Sequence, residues 1–134
     1  MKLLFAIFFV FSIYSCQVDC NDLTYKEGLT YLKDKLYSGD CSSYFPSSGQ
    51  IRSYQSYVDG KDDGEWKFYH PGKIPQTIGV FDEGKRIGTW KYFYPDGKVW
   101  KTNNYDSLGE KTGKWTTYSK DGSIDTLATF NSSN

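Results

Sequence analysis

The sequence has few of the residues from which catalytic and metal sites are usually built. Its 134 residues include one histidine, three cysteines and one methionine. Cys20, Cys41 and the lone His70 supply too few ligands for a tetrahedral metal site. No nucleophile has a recognisable partner base, and no Gly-Lys-Ser or Gly-Lys-Thr loop is present to hold a phosphate. We therefore expect no catalytic residues, no metal, no cofactor and no enzymatic activity, with His70 an exposed turn residue.

An excess of charge of one sign is also absent. Sixteen basic residues balance sixteen acidic ones, and no long basic block occurs. Nucleic-acid binding is therefore not expected, since it depends on a clustered positive surface. The acidic side chains concentrate in predicted turns, where they suit turn geometry and solubility. The stretch from 59 to 64, DGKDDG, lacks the Asp-x-Asp-x-Asp spacing and distal Glu of a calcium-binding EF-hand loop.

Long hydrophobic runs are missing except at the N-terminus. Residues 3–13 are apolar apart from one serine, follow Lys2 and are too few to cross a bilayer comfortably as a helix. They have the form of a signal peptide, which we place at residues 1–15. Ile13-Tyr14-Ser15-Cys16 resembles a bacterial lipobox, although Tyr14 is bulkier than usual. The resemblance implies lipidation of Cys16 and an exported, membrane-anchored lipoprotein of the cell envelope; the alternative is secretion, with Cys16 incidental.

The odd number of cysteines agrees with lipidation, because Cys16 would then leave one pair. Outside the cytosol we expect Cys20 and Cys41 to form a disulfide that fastens the N-terminal segment to the repeats. A closed loop of this size contributes on the order of 3 kcal/mol. The alternative is two free thiols, with Cys41 a small core residue.

A unit of 24 or 25 residues is repeated along the chain. Gly39, Gly64, Gly88 and Gly113 open the units. Two places later stand Cys41, Trp66, Trp90 and Trp115, and five places later Tyr44, Tyr69, Phe93 and Tyr118. A glycine-containing turn follows, then Ile51, Ile74, Val99 and Ile124, and then Tyr57, Val80, Tyr105 and Phe130. Such a period predicts stacked supersecondary units.

Each unit has the pattern of a β-hairpin. In the third, Trp90, Tyr92 and Tyr94 should face one side and Lys91 and Phe93 the other. Pro95-Asp96-Gly97 provides the turn. Because one hairpin of this size is not stable alone, the units must stack. We expect a repeat core of two aromatic columns on opposite faces: Trp66, Trp90 and Trp115, with Cys41 at the head, and Tyr69, Phe93 and Tyr118, with Tyr44.

The units divide the chain into a signal peptide, a tether with an N-terminal capping hairpin at 16–38, and a repeat domain at 39–134. Residues 25–32 read as strand, turn and strand, and residues 36–37 as another short strand. A short helix over 25–36 is the alternative, because Leu29, Leu32 and Leu36 have helical spacing. Gly60, Gly84 and Gly109 precede the next unit by four residues and predict tight bends in which a side chain would collide with the neighbouring hairpin.

The motifs GEWKFY, GTWKYFYPDGK and GKWTTYSKDG, each preceded by Gly-x-x-x-Gly, resemble the MORN-type repeats of bacterial proteins. The resemblance covers residues 39–130 and departs from the pattern in the first unit, where cysteine replaces tryptophan. It implies an all-β fold of tandem β-hairpins in one elongated, twisted antiparallel sheet of about eight to eleven strands. Some members of the group are described as antitoxins.

The resemblance and the absence of reactive groups predict a non-enzymatic, surface-anchored scaffold for protein–protein interaction. The partner would be an unknown protein or glycan, with the membrane reached through the lipid anchor. Exposed aromatics are the candidate binding residues: Tyr54, Tyr92, Tyr94 and Trp100. Plain packing is the alternative for each. Two other functions stay open: a carbohydrate- or lipid-headgroup-binding module, for which the interspersed acids give the lipid little support, and an antitoxin-like partner protein.

Overall fold

A computed structural model describes residues 17–131. The signal peptide expected at 1–15 and the lipidation expected at Cys16 lie outside the described residues. The fold is all-β, as expected, and its strands form one large sheet and one small one.

The N-terminal segment contains the small sheet, which consists of three strands. Strand β1 (Val18–Asp19) is followed by one 3₁₀ turn (Cys20–Asp22). Strands β2 (Thr24–Lys26), β3 (Leu29–Leu32) and β4 (Lys35–Leu36) then form an antiparallel meander. The strand, turn and strand expected over 25–32 are present, and the helical alternative is wrong. The meander is separate from the large sheet, so the chain does not form one sheet from end to end.

The large sheet contains four hairpins in chain order. Their strands are β5 (Gly39–Tyr44) with β6 (Ile51–Val58), β8 (Gly64–His70) with β9 (Ile74–Asp82), β10 (Lys85–Phe93) with β11 (Val99–Tyr105), and β12 (Lys111–Tyr118) with β13 (Ile124–Phe130). Strand β7 (Lys61–Asp62) pairs with β6. The sheet has ten strands, within the expected range, in the order β1-β5-β6-β8-β9-β10-β11-β12-β13 with β7 off this path. All pairs are antiparallel except β1 with β5.

The four hairpins share one register at their open ends. The glycine that opens each unit pairs with an aromatic residue on the return strand: Gly39 with Tyr57, Gly64 with Phe81, Gly88 with Tyr105 and Gly113 with Phe130. The repeat spacing predicts Val80 in this series, which is wrong: Phe81 holds the position, and Val80 is exposed. The shift arises in the turn of the second hairpin.

A β-bulge recurs near the turn of every hairpin. The pairing skips one residue of the return strand each time: Arg52, Gln76, Trp100 and Asp125. The aromatics just before the turn oppose an aliphatic or proline residue: Tyr44 with Ile51, Tyr69 with Pro75, Phe93 with Val99 and Tyr118 with Ile124. Pro75, not Ile74 as expected, is therefore equivalent to Val99. A recurring bulge bends all four hairpins alike, which keeps their turn ends in line.

The three repeat tryptophans have equivalent surroundings. Each indole N–H donates to a backbone carbonyl of the preceding hairpin: Trp66 to Ser56 at 3.0 Å, Trp90 to Val80 at 3.2 Å and Trp115 to Asn104 at 2.8 Å. Each acceptor immediately precedes the aromatic that pairs with an opening glycine. The tryptophans therefore join successive hairpins through both a hydrogen bond and apolar contact, which is why the units need one another.

Aromatic rings of the return strands alternate with the tryptophans in this row. Ring centroids are 5.4 Å apart for Tyr57 and Trp66, and 4.9 Å apart both for Trp66 with Phe81 and for Phe81 with Trp90. Trp115 lies 5.2 Å from both Tyr105 and Phe130. The expected tryptophan column is thus a mixed row in which tryptophans are separated by other rings. Edge-on contacts of this kind stabilise a sheet that has no second layer.

The disulfide expected between Cys20 and Cys41 is present and caps this row. Its Cα atoms are 5.1 Å apart. Cys41 is fully buried in a cluster with Tyr37 and Tyr57, against which Trp66 packs. The first unit therefore replaces tryptophan with a disulfide that brings the N-terminal segment over the end of the row.

Gly60, Gly84 and Gly109, which lie in the connections between units, share a positive φ, and two of them also lie close to other residues. Gly60 and Gly109 have φ of 78° and 82°, and an added Cβ would meet Leu36 or Lys85 at 2.8 and 2.9 Å. Gly84 also has a φ of 82° but faces open space. The predicted collision with a hairpin therefore occurs at Gly109, whereas Gly60 meets the N-terminal meander instead, and Gly84 meets nothing, so that its positive φ alone favours glycine.

Candidate functional site

An open cleft lies near the turn ends of the second and third hairpins. Its volume is about 360 Å³, and its walls combine aromatic and uncharged polar side chains. The lining residues are His70, Gln76, Thr77, Tyr92, Phe93, Tyr94, Pro95 and Trp100. A volume of this size falls in the range of ligand-binding clefts.

The bulge places Trp100 on the cleft wall. Trp100 is the residue that the pairing of β10 with β11 skips, so it has no direct cross-strand neighbour. Its ring centroid lies 6.4 Å from that of Tyr92 and 6.2 Å from that of Tyr94. It is still 43% exposed, whereas the repeat tryptophan Trp90 is 2% exposed. Trp100 is therefore a supported but uncovered aromatic surface.

Several polar groups of the cleft are already bonded. His70 Nε2 is 3.1 Å from the carbonyl of Phe93, and the Tyr94 hydroxyl donates to the carbonyl of Tyr118 at 2.8 Å. Arg86 donates to the Tyr92 hydroxyl at 3.3 Å. Burial raises the pKa of Tyr92, with nearby Arg86 acting against the increase. These bonds hold the cleft's walls in place.

Four side chains of the cleft keep donors for a ligand: Trp100, Gln76, Thr77 and Tyr92, whose hydroxyl accepts from Arg86 and keeps its own proton. Neither the indole N–H of Trp100 nor the side-chain amide of Gln76 has a hydrogen-bond partner among residues 17–131. Gln76 and Trp100 are both exposed and occupy equivalent bulge positions in neighbouring hairpins. No Asp, Glu, Lys or Arg lines the cleft. The site can therefore offer aromatic faces, the N–H groups of Trp100 and Gln76 and the hydroxyls of Thr77 and Tyr92 to an uncharged ligand.

A second cleft lies one repeat earlier and is built from equivalent positions. Its volume is about 250 Å³. His70 and Gln76 line both clefts. Arg52 and Phe68 take the places that Gln76 and Tyr92 have in the first cleft. The repeat thus produces equivalent clefts at two successive hairpin junctions, and the two together are called the groove below.

The structure brings three of the four candidate binding residues together: Tyr92, Tyr94 and Trp100. Tyr54 lies elsewhere, paired with Ser42 and Lys67. A hydrogen bond to the Asp40 carboxylate raises the pKa of Tyr54, and burial adds to the increase. Tyr54 therefore shares no surface with the other three. The binding role of the three stays a prediction.

Sequence reasoning missed the contributions of His70 and Gln76. His70 was expected to be an exposed turn residue, but it is half-buried and bonded to the third hairpin. It stands six places after Gly64, as Tyr94 stands six places after Gly88. Extending the repeat alignment to that position would have identified it. Gln76 stands twelve places after Gly64, as Trp100 stands twelve places after Gly88, so the same alignment would have paired them.

The described residues contain no metal cluster and no membrane-spanning helix. Within residues 17–131, no group of three or more His, Cys, Asp and Glu side chains could hold a metal ion. The described part of the chain also contains no helix with the length and hydrophobicity needed to span a membrane.

Comparisons with known proteins identify the repeat. Residues 86–107, which include most of the third hairpin, match the model of the MORN repeat variant family. A solved structure titled "Crystal structure of GtfA/B complex bound to UDP and GlcNAc" is similar over 82% of this chain, at 11% identity and a TM-score of 0.32. The present chain spans only 23% of that chain's length, and a likeness this low carries no argument. The comparison with curated proteins gave no match.

Proposed function

We propose that this chain, which carries a MORN repeat variant, is a non-enzymatic scaffold that binds a protein partner through the groove at its hairpin turns. The hairpin stack supplies a rigid frame, and the groove supplies the contact surface. The partner is held by aromatic side chains, which are the residue types that contribute most at protein interfaces.

The observation that carries this proposal is the exposure of Trp100. Of the tryptophans that join the hairpins, Trp90 is 2% exposed and Trp66 and Trp115 are partly buried, but Trp100 remains 43% exposed while two tyrosines support it. Burying such a ring against a partner contributes roughly 25 cal/mol per Å² of apolar area removed from water. Leaving it exposed brings no such gain to the fold, so its exposure favours a binding role.

A protein partner fits the cleft better than a glycan. A sugar ring needs hydrogen-bond partners for its many hydroxyls, yet the Tyr94 hydroxyl and the Nε2 atom of His70 are already bonded within the protein, and no carboxylate lines the cleft. The Trp100 indole and the Gln76 amide are suited to a ligand with few polar groups. Glycan binding is therefore one of the contrary outcomes of the experiment below.

The membrane anchor is part of the proposal. Lipidation of Cys16 would hold the repeat array at the surface of the cell envelope. Labelled palmitate should be incorporated into the wild-type protein and not into Cys16→Ala, which should also leave the membrane fraction. Unchanged membrane fractionation of Cys16→Ala, with no loss of label, would refute the anchor and leave the groove unaffected.

Site-specific photo-crosslinking tests the interaction role. A photoreactive amino acid at position 100 should give a discrete protein adduct in cells. The same amino acid at Tyr25, which is 72% exposed but lies outside the groove, should not give that adduct. A saturable signal on a glycan array, lost in Trp100→Ala, would instead support the carbohydrate alternative. An identical adduct pattern from both positions would count against a protein site at the groove.

A further inference from the structure

We propose that the groove binds a proline-rich segment in the polyproline II conformation, lying across the strands. This inference rests on the proposed function and names the chemistry of the partner. Three independent features support it: the groove's free donors, its period and the charges at the ends of the row of bulge positions.

The donors of the groove match the acceptors of such a segment. A polyproline II helix has no internal hydrogen bonds, so its carbonyls point outward unpaired. Proline also has no N–H, so the prolines of such a segment accept hydrogen bonds through their carbonyls and donate none. Trp100 and Gln76 provide two free donors, and the rings of Tyr92 and Tyr94 provide the apolar faces against which proline rings pack. Aromatic grooves of this type are a known mode of polyproline recognition.

The period of the groove matches the period of the ligand. Equivalent groove positions are two strands apart, which corresponds to about 9.6 Å because neighbouring strands lie about 4.8 Å apart. A polyproline II helix advances about 9.3 Å in three residues. A segment that crosses the strands would therefore present every third residue to an equivalent place on successive hairpins. An extended β-strand, which repeats after about 6.8 Å, would lose this register.

Charges at the ends of the row of bulge positions give the segment a direction. The bulge positions run from Arg52 through Gln76 and Trp100 to Asp125 along the sheet. Neither Arg52 nor Asp125 has an ion-pair partner among residues 17–131. By the spacing above, Arg52 lies about 19 Å from Trp100, or about six residues of a polyproline II helix. An acidic residue at that distance from the anchoring proline would meet Arg52.

Calorimetric titration of the purified protein with a thirteen-residue oligoproline peptide tests the site. Saturable binding is expected, with a Gly-Ser peptide of equal length giving none. Trp100→Ala should weaken binding by about tenfold or more. Tyr25→Ala, which removes an exposed aromatic outside the groove, should leave binding unchanged. Absence of oligoproline binding, or equal affinity in wild type and Trp100→Ala, would overturn the inference.

Two further peptides test the direction. Each carries one glutamate six residues from the central proline, on the N-terminal side in one and on the C-terminal side in the other. One of the two should bind more tightly than oligoproline, and Arg52→Gln should remove the difference. If both glutamate peptides bind the protein with the same affinity as oligoproline, the proposed orientation is contradicted. If the position-100 crosslink forms but no proline peptide binds, the scaffold role survives and the polyproline inference fails.

Discussion

Trp90 covers Gly79 so closely that the glycine leaves no room for a side chain. A Cβ built on Gly79 would overlap the six-membered ring of the indole, which is 2% exposed and donates to the carbonyl of Val80. Gly79 lies on the return strand of the second hairpin and Trp90 on the first strand of the third, so this contact fits one unit onto the next.

Gly79→Ala should therefore lower the free energy of unfolding by about 1–3 kcal/mol, the usual cost of overpacking. Denaturant unfolding measures it. In a Trp90→Leu background the ring is gone, so the same change should cost much less. Equal costs in both backgrounds would mean that the indole does not limit the space at Gly79.

Cys20→Ser should destabilise the protein by about 3 kcal/mol, because it opens the loop closed by the disulfide with Cys41. This change leaves the buried Cys41 side chain in place. Reduction of the wild-type protein should produce the same shift in the denaturation midpoint, and the reductant should have no effect on Cys20→Ser. A reductant effect of equal size on the variant would contradict this role.

Stability should fall in alkaline solution as Tyr57 ionises. Burial raises the pKa of this hydroxyl, and Asp62 and Tyr37 add to the increase. The folded pKa of Tyr57 lies above the unfolded value of about 10. The contribution of its neutral hydroxyl to the free energy of unfolding is therefore complete below pH 10 and is lost as the pH rises further. The loss should approach about 1.4 kcal/mol per pH unit. Tyr57→Phe should flatten the decline; parallel curves for variant and wild type would contradict it.

Trp100→Ala should leave stability nearly unchanged. Its ring is half-exposed and donates no hydrogen bond within residues 17–131, so we expect a loss of about 1 kcal/mol or less. Trp90→Ala should cost about 3–5 kcal/mol, as for other buried aromatics. Thermal unfolding distinguishes the two. Similar losses for both variants would place Trp100 in the core instead of the groove.

The repeat made the architecture readable from the sequence, since glycines and tryptophans that recur at a fixed period are typical of stacked hairpins. The error at Val80 has a physical cause. In the second turn Lys73 adopts the left-handed conformation, with a φ of 63°, where Gly97 has a φ of 85° in the third. Gly72 stands one place earlier, so counting from the glycine shifted the return strand by one residue.

The cleft was only partly predictable. Alternation placed Tyr92 and Tyr94 on one face, and Trp100 stood out because it belonged to neither aromatic column. Trp100 and Gln76 each stand twelve places after the opening glycine of their unit, but a bulge has no marker in a period-two pattern, so the sequence could not show that this place is skipped by the strand pairing. Nor could it show that His70 reaches the backbone of the next hairpin, because that contact depends on how the hairpins stack.

Hydrogen exchange of the four indole N–H protons, followed by NMR, tests the repeat architecture and the groove together. The indoles of Trp66, Trp90 and Trp115 donate to carbonyls between hairpins, whereas that of Trp100 is free among the described residues. Three signals should therefore exchange slowly and one quickly, and Trp100→Phe should remove the fast one. A protected Trp100 indole would contradict the site. Rapid exchange at two of the other three would contradict the stacking.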